Sequence, residues 1–226
     1  MKQWQDFVET QPRTLAGENF VCDADRLGLI LVTGEDAQHF LQNQLSHDVA
    51  QIDEEHHQIS SYSTPKGRLL GIFRVIQISN GYILVTARAS VLPLLQRLNH
   101  YIVQAQVNLA DASDHFARLA LQTDIDDVTN HSLLPREPGQ TLQNDNLISI
   151  QLEPYAEQRR YLVMCLAAEE AIGLWNEFAA HLQPADFDAW RLADIRAGIP
   201  VIYPETAEEF VLQMANLNAL NGVSFK

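Results

Sequence analysis

A chain of 226 residues, 46% of them hydrophobic, has enough material to bury one large core or two closely joined ones without disulfide staples. Its 15 basic and 29 acidic residues leave a net charge of −14, which repels polyanions and argues against sequence-independent nucleic-acid binding over the whole surface. Cys22 and Cys165 stand far apart in apolar runs with no C-x-x-C spacing, so both are expected as buried, reduced hydrophobes.

No cationic leader with an apolar stretch and a small-residue cleavage site opens the sequence, and no apolar run approaches the roughly 18 residues that cross a bilayer. The expected address is the cytoplasm, with no membrane partner.

In chain order, Glu18 to Asp25 and Leu27 to Thr33 read as two short strands, the second nearly all apolar. A helix follows, with Thr33 or Asp36 as cap, apolar residues at 37, 40, 41 and 45, and amides on the other face. Gln58 to Thr64 and Leu69 to Ile78 are strands joined by the turn Pro65-Lys66-Gly67-Arg68. Asn80-Gly81 then closes a hairpin onto Tyr82 to Thr86. Ser90 is placed to cap a helix running to about Val103, with Pro93 tolerated in its first turn.

The order then recurs, with strands near 103–109 and 115–122, a short helix near 124–130, strands near 147–152 and 159–166, and a helix over 168–182. This pattern suggests an α+β fold built from a duplicated β2-α-β3-α body: residues 1–103 as first repeat, 104–183 as second, and 184–226 as a helical arm packing on the body. The stretch Asp124 to Asn146, rich in Asp, Asn and Pro, is the expected exposed connection. A last helix, Phe187 to Ala197, is stopped by Gly198 and Pro200. Beyond it Met214, Leu217, Leu220, Val223 and Phe225 are the expected anchors of the arm.

Charge is unevenly spread. From His56 to Ala110 there is no Asp or Glu, while Lys66, Arg68, Arg74, Arg88 and Arg97 all fall there. A local positive region would suit a small anion or an anionic tail; the plainer reading is that strands and a core helix carry few acids. The patch Glu54-Glu55-His56-His57 reads as a solvated turn rather than a metal site, since adjacent loop residues point apart. No P-loop, G-x-S-x-G, G-x-G-x-x-G or H-E-x-x-H occurs. Trp190, on a helix with Arg191, Asp194 and Arg196, is either a platform for a flat ligand or a core tryptophan.

Four segments in register carry a family resemblance. They are Thr33-Gly34 with Phe40-Leu41-Gln42-Asn43-Gln44-Leu45 and Asp48-Val49; Pro65-Lys66-Gly67-Arg68; Trp190 with Ile195-Arg196-Ala197-Gly198-Ile199-Pro200; and Asn216-Leu217 with Leu220-Asn221-Gly222-Val223-Ser224-Phe225-Lys226. Together they resemble the YgfZ family, folate-binding proteins related to the aminomethyltransferase (T-protein) of the glycine cleavage system. The resemblance implies a tetrahydrofolate ligand, a role in maturation or repair of iron–sulfur enzymes with their assembly factors as partners, and through these an indirect effect on tRNA modification, without direct nucleic-acid binding. It also implies that Trp190 contacts folate and that the family's second aromatic contact falls on Leu27, which lacks a π-face. Lys66, Arg68 and Arg74 would attract the glutamate tail.

The same resemblance puts the T-protein's Asp pair on Gly71-Ile72, neither of which ionises, so aminomethyl transfer is not expected. The alternative is a folate-dependent one-carbon transferase using Asp48 or Asp194, residues that otherwise read as a helix cap or a surface ion pair. A weaker third reading is an interaction module that docks a partner through the C-terminal arm. Residues 222–226 resemble the lead-in to the family's cysteine signature and C-terminal barrel, so the chain is expected to be a truncated or shortened member; Cys22 and Cys165 do not correspond to the signature cysteine.

Overall fold

The computed structural model describes residues 1–14 and 17–224. Along the chain run α1 (Lys2–Glu9), β1 (Phe20–Asp23), β2 (Leu27–Thr33), α2 (Ala37–Gln44), β3 (His57–Ser63), β4 (Leu69–Ile78), β5 (Gly81–Ala87) and α3 (Val91–His100). There follow β6 (Asn108–Asp111), β7 (Ala117–Thr123), α4 (Asp126–Thr129), β8 (Thr141–Gln143), β9 (Leu147–Tyr155), β10 (Gln158–Cys165), α5 (Ala168–Ala179), β11 (Gln183–Ala185) and α6 (Phe187–Arg196). The fold is α+β with two sheets. No described helix is long and apolar enough to cross a membrane.

Compactness divides the chain along lines other than the consecutive segments. One unit is Met1–Asp25 with Asp114–Ile199, the other Arg26–Ser113 with Pro200–Lys226. The two strands expected near the N-terminus both form, in different sheets. β1 lies between β11 and β7 in the six-stranded sheet of the first unit, and β2 between β5 and β6 in the five-stranded sheet of the second. Alternating hydrophobicity fixes which face of a strand is buried, and it is silent on the partner.

In the first unit α1 and α5 cover one face of the sheet. Trp4, Val8, Leu174, Trp175 and Phe178 meet Leu119, Leu121, Tyr161 and Val163 in one core, with the Trp4 and Trp175 rings edge to face at 5.8 Å. Each fully buried large apolar side chain contributes roughly 2–3 kcal/mol. Helix α1 and strands β8 and β11 were not expected from the sequence. The stretch Asp124 to Asn146 is not simply an exposed connection either: it holds α4 and β8, and Val128, Thr129, Leu134 and Thr141 are buried.

In the second unit α2 and α3 pack on one face of the sheet, where Phe40, Leu41, Val91, Leu94 and Leu98 meet Ile30, Val32, Phe73, Val75 and Leu84. The hairpins at residues 63–69 and 78–81 form as expected. Both predicted helix caps are diverted. Asp36 stands at the N-cap of α2, but its carboxylate accepts the Gln106 N–H at 2.8 Å; the Ser90 hydroxyl donates to the Ile202 carbonyl at 2.9 Å instead of capping α3. Gly34, with φ 113°, lies where a Cβ would come within 2.0 Å of the Gln106 carbonyl oxygen, which explains a glycine after Thr33.

Beyond α6 the arm is not helical in the ordinary sense: a 3₁₀ turn at Pro204–Thr206 is followed by successive turns. Of its expected anchors Leu217 is fully buried and Leu220 and Val223 are half-buried, whereas Met214 is 67% exposed; Phe225 lies outside the described residues. The arm is held at both ends. Glu208 N–H donates to the Leu69 carbonyl and Leu69 N–H to Phe210, both at 2.8 Å, while the Ser46 hydroxyl donates to the Gly222 carbonyl at 2.8 Å.

Candidate functional site

Trp190 belongs to α6 in the first unit, and its indole is 1% exposed. The Arg160 guanidinium lies over the ring, 4.4 Å from its centroid, and forms an ion pair with Asp194 one turn further along α6. Arg160 is fully buried, and its Nε and Nη1 have no hydrogen-bond partner among the described residues. Sequence reading missed Arg160. Its one signal was the pair Arg159-Arg160 on a strand, where alternation must send one of two neighbours inward. The indole is therefore packed as a core tryptophan, its face covered by the guanidinium, and neither residue lines the two cavities described below.

Leu27, Lys66, Arg68 and Arg74 all belong to the second unit. Leu29 pairs with Val85 and Val85 with Arg74, so Leu27, two residues from Leu29, shares with Arg74 the sheet face opposite α2 and α3. Leu27 is half-buried and Arg74 is 8% exposed. Lys66 is exposed in the turn whose Gly67 takes φ 74°. Arg68 is exposed too, but its Nη1 donates to the Glu209 carbonyl at 3.0 Å, so part of its donor capacity secures the arm. The structure therefore brings Leu27 and Arg74 to one sheet face, and sets Lys66 and Arg68 on the turn that leads into β4.

Asp48 accepts the Ala50 N–H at 3.2 Å and the Gln51 amide at 2.8 Å, the bonds of a cap on the short 3₁₀ turn Val49–Gln51. Asp194 is committed to Arg160. Gly71 and Ile72 sit inside β4, and no carboxylate occupies that stretch. Both thiols are buried. Burial, then the carboxylates of Asp23 and Asp194, push Cys22 well above its usual range, and burial with Glu170 pushes Cys165 up to about 12, so neither is a thiolate at neutral pH. Burial also raises Asp23 to about 6, helped by Asp25 and opposed by the Trp4 indole N–H, which donates to it at 3.2 Å.

His56 and Asp53 pair at 2.9 Å in an exposed turn, while His57 opens β3 and is buried; the described residues hold no cluster of His, Cys, Asp and Glu suited to a metal ion. Among the described residues, cavities open within each unit. One of about 550 Å³ in the second unit is bounded by α3, the start of β4 and the Pro204 turn; one of about 210 Å³ in the first lies beside Phe20, Gln122 and Ala193.

Comparison with known proteins adds to this geometry. No protein-family model matches the chain. The tRNA-modifying protein YgfZ of Shigella sonnei is 27% identical over 210 residues, 89% of this chain and 62% of that protein. The chain is similar to YgfZ. The YgfZ proteins of Hamiltonella defensa and Colwellia psychrerythraea are likewise 27% identical, over 88% and 92% of this chain. The chain spans about three fifths of the length of these YgfZ relatives, 59% to 63%. Among solved structures, the glycine cleavage system aminomethyltransferase T of Bartonella henselae matches with a TM-score of 0.62 at 15% identity, over 76% of this chain and 48% of that one, which shows a shared fold.

Proposed function

We propose that this chain is the folate-binding body of a YgfZ-type accessory protein, holding tetrahydrofolate or a one-carbon derivative and serving, in the cytoplasm, the maturation or repair of iron–sulfur enzymes on which tRNA modification depends. The observation that carries the reading is the similarity to YgfZ along nearly nine tenths of the chain. The aminomethyltransferase fold supports it. In this reading Trp190 flanks the pterin, Leu27 packs on a ring in place of an aromatic residue, and Lys66, Arg68 and Arg74 draw the glutamate tail. We also propose that segments 1–103 and 104–183 descend from one duplicated unit, with 184–226 added to it. The partners are iron–sulfur enzymes or their assembly factors, and no direct contact with nucleic acid is needed.

A folate-dependent aminomethyl transferase is the second reading, favoured only by the likeness of fold. The commitments of Asp48 to a cap and Asp194 to Arg160 speak against a free carboxylate for that chemistry. A single-turnover assay with a methylated amine donor and tetrahydrofolate separates the two. The accessory reading predicts folate binding with no carbon transfer; transfer that is abolished in Asp48→Asn or Asp194→Asn would establish the enzyme instead. Binding itself is followed with tetrahydrofolate mono- and polyglutamates. Lys66→Ala is expected to weaken the polyglutamate several-fold more than the monoglutamate, and equal losses would remove Lys66 from the tail site.

A further inference from the structure

The cavity of about 550 Å³ in the second unit has no part in the folate reading. Its size falls within the range of small-molecule sites. One wall is a stripe of α3 and its flanks, where Ser90, Pro93, Leu94, Arg97 and Tyr101 recur at helical spacing; Leu70 of β4 adds to the apolar surface and Pro204 and Ala207 form the far rim. The walls are tied together independently of any ligand. Ser90 Oγ donates to the Ile202 carbonyl at 2.9 Å, and the Leu69 backbone exchanges hydrogen bonds with Glu208 and Phe210 at 2.8 Å, so the rim is fixed to both the helix and the sheet.

The charge around it is one-sided. Arg97 and His100 line the cavity and no Asp or Glu does, on a chain with almost twice as many acids as bases; Glu205 and Glu208, close in sequence to the rim, are not among the lining residues. Arg97 is half-buried, and its Nε is buried without a hydrogen-bond partner among the described residues. A half-buried guanidinium on a cavity wall that carries no carboxylate is a receptor for an oxyanion. Leu70, Leu94, Pro93 and the Tyr101 ring supply apolar surface for the rest of the ligand.

We infer that this cavity is a binding site for a small aromatic carboxylate, with Arg97 taking the carboxylate and the α3 wall taking the ring, distinct from any folate site. Naphthoate and its uncharged counterpart naphthamide are the probes. Amide chemical shifts of the full 226-residue chain, titrated with each, are expected to move along residues 90–101 and 204–207, with naphthoate bound roughly tenfold or more tighter than naphthamide. Arg97→Gln should remove that preference. Ala207→Trp, which fills the cavity from the opposite rim and leaves Arg97 intact, should abolish binding of both while leaving thermal unfolding close to that of the parent chain. Equal affinity for acid and amide, shifts confined to other regions, or no binding would overturn the assignment. Displacement of naphthoate by stoichiometric tetrahydrofolate would merge the two sites and overturn their separateness. Because the readout is local to α3, failure here leaves the folate reading standing, and failure of folate binding leaves this site testable.

Discussion

At the scale of single residues, the first unit places charges where burial makes them expensive. Asp23 has its pKa raised from 3.8 to about 6, chiefly by burial. A carboxyl whose folded pKa lies above its unfolded value stabilises the fold below the unfolded pKa, and that contribution is lost as pH rises through the folded one, so its window is about pH 4 to 6. Asp23→Asn keeps an acceptor for the Trp4 indole and removes the penalty. It should raise stability at pH 7.5 by roughly 1–3 kcal/mol and change it little at pH 4. Denaturant titrations at the two pH values check this; a variant equally displaced at both, or destabilised at pH 7.5, would show that Asp23 is not held near 6. Asp111 works in the opposite sense: burial raises it, but hydrogen bonds from Ser113 and the Arg88 cation lower it overall, so its contribution is lost on acidification. The pair Arg160–Asp194 is buried on both sides. Asp194→Ala strands the cation and should cost about 3–5 kcal/mol, whereas Arg160→Met with Asp194→Leu should recover most of that loss in the same unfolding assay. A loss confined to a few tenths in Asp194→Ala would mean that Arg160 is solvated in its absence.

At the scale of elements, the legible parts were those whose signal is local. Asn80-Gly81 and Pro65-Lys66-Gly67-Arg68 specify turns through their own backbone preferences, and both hairpins formed. The spacing of apolar residues likewise found α2, α3 and α5, and the stop at Gly198 and Pro200 marked the end of α6. What escaped was decided by distant partners. β8 and β11 are three residues each, too short for alternation to register. α1 buries Trp4 and Val8 against α5, a contact that its own eight residues do not announce. Asp36 and Ser90 have the chemistry of caps, yet each spends its side chain on a loop from elsewhere in the second unit. The candidate site divides in the same way: Trp190 was conspicuous by residue type, but Arg160 and Arg97 acquire their meaning only from what stands beside them. Two predictions belong here. Gly34→Ala drives a Cβ against the Gln106 carbonyl and should cost on the order of 2–4 kcal/mol, read as a lowered denaturation midpoint; tolerance of alanine would mean that the 106 loop yields freely. Ser46→Ala removes the donor to Gly222 and the acceptor for Ser61, and should cost about 1–2 kcal/mol while raising amide exchange at residues 222–224; unchanged exchange would show that the arm is held by other bonds.

At the scale of the whole molecule, the negative charge is concentrated in one unit. The second unit holds 10 of the 29 acidic and 7 of the 15 basic residues, leaving −3, and the first holds the remaining 19 and 8, leaving −11. The acid-free stretch from His56 to Ala110 lies wholly in the second, along with all three cations proposed for the folate tail. Anion capture through that unit should therefore weaken as salt is raised, because screening acts on the exposed Lys66 and Arg68 before it reaches the buried Arg74. The most direct test of the folate assignment is calorimetric titration of tetrahydrofolate into the parent chain and into Trp190→Leu and Trp190→Phe, each first checked for cooperative unfolding. Saturable binding by the parent chain, weakened roughly tenfold or more in Trp190→Leu and largely kept in Trp190→Phe, is the predicted result; a parent chain that gives no binding heat, or a folded Trp190→Leu with undiminished affinity, would contradict it.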